Sequence, residues 1–183
     1  MMRKPLLLLL SAIFLFSSCG KKEPSREEAS KLIRKYYKYP QVFDYDISCG
    51  DETVARQLLS TDLEKDGWIN IRKTIKMIDT GAFITFTEKA QPYLLPTDPE
   101  DLKYHRQNVK VMDIDMGEII SMETSKDGNH IMISYTVKQI NKTPFIAVLR
   151  KQAKDIQEKR VYLARTDQGW MVDKQAEAHF IFQ

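Results

Sequence analysis

Two aspartate pairs stand at the spacing of alternate strand residues, Asp44 with Asp46 and Asp113 with Asp115, so each pair projects from one face of its strand. Paired carboxylates bind Ca²⁺ when a third ligand joins them, and they work as acid and base when burial separates their proton affinities. Exposed strand faces also carry such pairs as plain solvated residues. The three histidines, His105, His130 and His179, are widely spaced, and none belongs to an H-E-x-x-H or a Cys/His metal pair. A hydrolase would have to use Asp113, Asp115 or His130, and no motif joins them. The loop beginning at Glu123 opens like a Ca²⁺-binding EF-hand, but its twelfth place is Ser134 rather than glutamate, which removes that reading. No G-x-S-x-G, P-loop or G-x-G-x-x-G is present, and with seven glycines in the chain a phosphate cradle is not expected. The expectation is therefore a protein without metal, cofactor or catalytic residues.

The remaining reactive residues are the two cysteines, Cys19 and Cys49. Arg3 and Lys4 precede a mostly apolar run from Leu6 to Phe16, and the small residues Ser17 and Ser18 lead into Cys19. That order is the basic, apolar and cleavage regions of a secretory signal. The run is shorter than the roughly 20 residues a membrane-spanning helix needs. The alternative is a short transmembrane or core helix beside a chance cysteine.

Phe16-Ser17-Ser18-Cys19 resembles the lipobox of bacterial lipoprotein precursors, with phenylalanine where leucine is more usual. The resemblance covers about the first 22 residues. It implies cleavage before Cys19, a diacylglyceryl group on its sulfur, and acylation of the new N-terminus by a fatty acid such as palmitate. Such chains make a stable membrane anchor, because each buried methylene contributes about 0.8 kcal/mol. Gly20 is not the aspartate that retains some lipoproteins in the inner membrane, so the resemblance implies the outer membrane. Lys21, Lys22 and Glu23 resemble part of a basic-then-acidic export signal, which leaves the periplasmic face and the cell surface both open.

Cleavage at this point would leave 165 of 183 residues and lower the formal charge from +3 to +1 by removing Arg3 and Lys4. That length suffices for one domain or two small subdomains with a real core. A near-neutral chain gives no argument for nucleic acid as a partner. Two cysteines in an exported protein would ordinarily suggest a disulfide. With Cys19 acylated, Cys49 has no partner in the chain and reads as half-buried packing, with intermolecular pairing or a reactive thiol as the alternative.

The elements that must position these residues follow from periodicity. Residues 19–24 form a lipidated tether, and Ser25-Arg26-Glu27-Glu28 is a capping box opening a helix from Arg26 to about Tyr39, stopped by Pro40. Ala29, Leu32, Ile33 and Tyr36 make its buried stripe, while Tyr36, Tyr37 and Tyr39 are either core and rim or a groove for sugar or peptide. Residues 41–49 alternate as an exposed or edge strand, and a second helix is expected from Glu52 to about Lys65, ended by Asp66-Gly67. Trp68 to Met77 and Ala82 to Phe86 read as a hairpin turning at Asp79-Thr80-Gly81. The strings from Leu63 to Ile69 and from Phe86 to Leu94 resemble the helix, wing and following turn of winged-helix domains. Arg56 and Lys65 face Glu52, Asp62 and Glu64 in the preceding helix, which makes it a poor reader of DNA. A protein-contacting or structural wing is what the resemblance implies.

Pro96, Asp98 and Pro99 mark an internal boundary, a loop from Leu95 to about Gln107 with one helical turn begun by Thr97 or Asp98. Beyond it Val109 to Met116 alternates, Gly117 offers a bulge and Ile119 to Met122 resumes. Ser125 to Asn129 is a hairpin loop, and Ile131, Ile133, Tyr135 and Val137 line one face of the returning strand. Residues 145–155 are ambiguous between strand and helix. Strands from about Gln157 to Thr166 and Trp170 to Lys174 close the meander around Asp167-Gln168-Gly169. The stretch Asp-x-Gly-Trp-x-Val, residues 167–172, resembles the last hairpin of cystatin-like and NTF2-like envelope proteins, which implies a sheet wrapped over helices with a concave apolar pocket. Seven basic residues between Lys138 and Arg160 oppose Asp155 and Glu158, either as a solvated edge or as a surface for lipid phosphates or an anionic glycan.

The expectation is an α+β protein: two amphipathic helices and a hairpin in residues 25–100, then an antiparallel meander in 101–183, behind a signal peptide of residues 1–18. Its function is that of an outer-membrane lipoprotein held through Cys19, a non-enzymatic binding or assembly component with an envelope protein partner. The alternative is a carrier or receptor for a small ligand.

Overall fold

The computed structural model describes residues 23–73, 81–149 and 155–174. The fold is α+β. Helix α1 spans Arg26–Tyr37 and strand β1 Gln41–Ser48; helix α2 spans Glu52–Leu58, and strands β2 (Ile69–Ile71) and β3 (Ile84–Phe86) follow. A 3-10 turn at Glu88–Tyr93 leads to helix α3, Pro99–Lys103. Then come β4 (Arg106–Thr124), β5 (His130–Ile140), a second 3-10 turn at Pro144–Val148, β6 (Ile156–Thr166) and β7 (Gly169–Val172). The strands form a five-stranded antiparallel sheet in the order β1-β4-β5-β6-β7 and a two-stranded sheet of β2 with β3.

The capping box is present: Ser25 Oγ accepts from the Glu28 backbone N–H at 3.2 Å, and a Glu28 carboxylate oxygen accepts from the Ser25 N–H at 2.7 Å. The helix ends two residues before the expected Tyr39, because Lys38 adopts a left-handed backbone (φ 56) and the Tyr39 N–H closes back on the Arg34 carbonyl at 3.0 Å. Ala29 and Ile33 are fully buried, Leu32 is partly buried, and Tyr36 lies at the rim.

The second helix is shorter than expected, stopping at Leu58 rather than Lys65. The hydroxyls of Ser60 and Thr61 donate to the Gln57 and Leu58 carbonyls, both at 2.6 Å, and so take over acceptors that a continuing helix would use. Turns carry the chain on to Gly67 (φ 75), and Leu63 remains buried. The hairpin pairs Ile69 with Phe86 and Ile71 with Ile84; of its expected turn, Asp79-Thr80-Gly81, the first two residues lie outside the described ones, as do residues 74–78 of the expected first strand. The expected helical turn after Thr97 is α3, with the Asp98 side chain accepting from the Glu100 N–H at 2.8 Å.

Strand β4 is longer than the alternation suggested, and its pairing with β5 shifts register between Met116 and Ile119, where the bulge at Gly117 was expected. A Cβ on Gly117 would stand 2.2 Å from Thr136 Oγ1, so the close approach of the two strands requires glycine there. Of the ambiguous stretch 145–155, residues up to Val148 complete a 3-10 turn, and residues 150–154 lie outside the described ones.

Two apolar clusters meet on this framework. Ala29 and Ile33 of α1 pack on Met116, Ile131, Ile133, Tyr135, Val137, Val161 and Leu163, so α1 alone among the helices covers the middle of the sheet. The second cluster joins Ile47, Ala55, Leu58, Ile69 and Ile84 to Val109, Val111 and Phe145, and Ile114 touches both. Each fully buried Ile or Leu contributes about 1.5–3 kcal/mol relative to exposure.

Candidate functional site

Cys19, the expected lipidation site, lies outside the described residues, as does the whole signal segment. The chain enters the described domain at Glu23, and Pro24 is already buried. Among the described residues no helix is long and apolar enough to cross a membrane.

The expected acidic pairs lie on adjacent strands, β1 and β4, in different surroundings. Asp44 and Asp46 lie exposed on β1, an edge strand, with Asp46 3.7 Å from Arg106. Asp113 is buried (7 % exposed) and accepts from Lys110 at 2.8 Å and from the Asn141 amide at 2.9 Å. The Lys110 ammonium, with Asn141 assisting, holds its carboxyl below the ordinary value despite burial. Asp115 accepts from Arg34 at 2.6 Å and from the Met116 N–H at 2.8 Å; the same guanidinium donates to the Met116 carbonyl at 2.7 Å. Both carboxylates are thereby committed to holding β4 against its neighbours.

The histidines are apart. His105 follows α3 in a left-handed conformation (φ 54) and packs against Gly50, and His179 lies outside the described residues. His130 opens β5 with its Nδ1 3.7 Å from Asp127. Asp127 accepts from the Ser125 hydroxyl and from the Asn129 N–H, which lowers its carboxyl to about 2 and makes it the organiser of the β4–β5 turn. Among the described residues no three His, Cys, Asp or Glu side chains stand close enough to hold a metal ion.

Cys49 is buried (5 % exposed), and loss of solvation pushes its thiol up to about 12. The tyrosines form a chain of ring contacts, Tyr36 to Tyr37 at 4.9 Å and Tyr39 to Tyr135 at 6.4 Å edge-on, and Tyr37 to Tyr39 at 5.8 Å tilted. Tyr37 and Tyr39 pack on the α1 cluster rather than lining a groove. In the basic stretch, Lys142 pairs with Asp155 at 2.5 Å, Lys138, Lys159 and Arg160 are exposed, and Arg150, Lys151 and Lys154 lie outside the described residues.

One concave feature draws on four strands. A cavity of about 310 Å³ opens on the sheet beside the area α1 covers, lined by Phe43 of β1, Met112 and Ile114 of β4, Val137 of β5 and, after the second 3-10 turn, Leu149. Its polar lining is Lys138, Gln139, Asp155, Gln157 and Lys159. A shallower groove of about 470 Å³ lies where the chain enters the domain, between Pro24 and Leu32 on one side and Trp170 on the other. Neither carries a local sequence signal, because each is made by residues far apart in the chain. Alternation marks Phe43 and Val137 as strand residues without saying which of them share a wall. Comparisons of the chain with protein-family models, curated proteins and solved structures find no match.

Proposed function

We propose that this chain is a bacterial envelope lipoprotein, anchored in the outer membrane through acyl chains on Cys19, whose domain is a non-enzymatic binding or assembly component. The observation that carries the reading is the short apolar run ending in Ser17-Ser18-Cys19, six residues ahead of the capping box at which the folded domain begins. Six extended residues reach about 20 Å, so the anchor would hold the domain close to the bilayer surface. The engagement of Asp113 by Lys110 and of Asp115 by Arg34 supports a structural rather than a catalytic use of the carboxylates.

The test is metabolic labelling with a radioactive fatty acid. The wild-type chain should carry label and fractionate with outer membranes, and Cys19→Ala should accumulate as an unlabelled precursor. Label on Cys19→Ala would overturn the anchor. Proteolysis of intact cells then separates the cell surface from the periplasmic face, and cross-linking in cells followed by purification should recover an envelope protein partner.

The cavity beside α1 favours a second reading, a carrier or receptor for a small ligand. Its volume stands at the lower end of the roughly 300–1,000 Å³ usual for ligand sites.

A further inference from the structure

We infer that the cavity on the sheet takes a single-chain amphiphile with an anionic head, its alkyl chain toward β1 and β4 and its head toward β6. The inference rests on the carrier reading and gives it a ligand class. The strand order runs β1-β4-β5-β6, and the lining changes character along it. Phe43, Met112 and Ile114 stand at the β1–β4 side, Val137 in the middle, and Gln157 and Lys159 on β6. Val137 pairs with Gln157 and Tyr135 with Lys159, so by alternation these four share the face on which the cavity opens.

The charge of the lining selects the head. Asp155, its one carboxylate, is held by Lys142 at 2.5 Å. Lys138 alternates to the opposite face of β5, so Lys159 is the cation that the cavity face presents, and it stands beside the amide of Gln157, a second donor for a carboxylate or sulfate oxygen. The apolar end offers aromatic and aliphatic surface with no charged group, as an alkyl chain requires. A cavity of about 310 Å³ is of the size for one such chain rather than for an element of a folded partner.

The test is photo-cross-linking of the full chain, in whichever cell fraction holds it, with a diazirine-bearing dodecanoate. Label should map to the peptides holding Phe43 or Met112 and Ile114. Excess dodecanoate should remove it, and dodecyltrimethylammonium, with the same tail and the opposite charge, should not. Lys159→Glu, an exposed substitution that leaves the core intact, should cut labelling about tenfold, the scale of one lost charge-assisted hydrogen bond. Lys103→Glu, on α3, should label as wild type. Label elsewhere, no label, equal competition by the cationic amphiphile, or unchanged labelling of Lys159→Glu would each overturn the inference. Failure of the anchor would appear separately, as a chain in the soluble fraction with unaltered cavity labelling.

Discussion

Asp113 is where composition and environment disagree most sharply. A carboxylate with 7 % of its surface exposed would ordinarily be driven toward its neutral form, yet two donors favour the charged one. Because the folded protein holds this carboxyl below its ordinary value of 3.8, the interaction contributes fully above about pH 4 and is lost as the pH falls through the folded value. Urea denaturation at pH 6 and pH 3 should therefore show wild type losing more stability on acidification than Asp113→Asn. At pH 6 that variant should be about 1–3 kcal/mol less stable, as expected for a weakened hydrogen bond to a charged group. Cys49 makes a simpler case: its thiol is pushed up to about 12 by burial, which fits the packing role expected of a cysteine without a partner and is deeper than the half-burial expected.

At the scale of elements, α1 was readable from end to end save for its last turn. Ser25 and Glu28 supply its start, and Ala29, Leu32 and Ile33 supply the stripe it lays on the sheet. What the stripe cannot convey is the polar fastening: Arg34 reaches across to Asp115 and to the Met116 carbonyl, fixing the helix over β4. Ile33→Ala should cost about 2–5 kcal/mol, measured by urea denaturation, since Ile33 is fully enclosed by sheet residues that cannot collapse around a smaller side chain. Helix α2 shows the opposite case. Its apolar spacing continues to Leu63, but the Ser60 and Thr61 hydroxyls end it at Leu58, a local competition that periodicity does not register. Leu63 still reaches the core, through turns.

For the whole molecule, the sheet order places β1 at one edge and β7 at the other, with β4 and β5 inside. Edge strands lack one row of backbone hydrogen bonds, so hydrogen exchange followed by mass spectrometry should find the paired amides of β4 and β5 slowest and those of β1 and β7 faster. Equal protection across the five strands would contradict this order. The strand β1 closes onto β4 across more than fifty residues of intervening chain, pairing Phe43 with Met112 and Ile47 with Gln107. That closure sets Phe43 beside Met112 and so builds one wall of the cavity. The sequence by itself determined what depends on neighbours along the chain: the α+β class, the capped start of α1, the face of β5 that carries Ile131, Ile133, Tyr135 and Val137, the bulge at Gly117, and the turns at 125–129 and 167–169. Each is set by a period, a cap or a backbone constraint acting over a few residues. The alternation expected along β4, by contrast, breaks at Val111, Met112 and Asp113, all three buried where the pairing with β1 shifts register. Only the tertiary structure decided that β1 pairs with β4, that Lys110 and Arg34 neutralise Asp113 and Asp115, and that residues of four strands enclose a cavity. Those outcomes depend on which surfaces complement each other once the chain has closed, and no short stretch of sequence contains both sides of the contact.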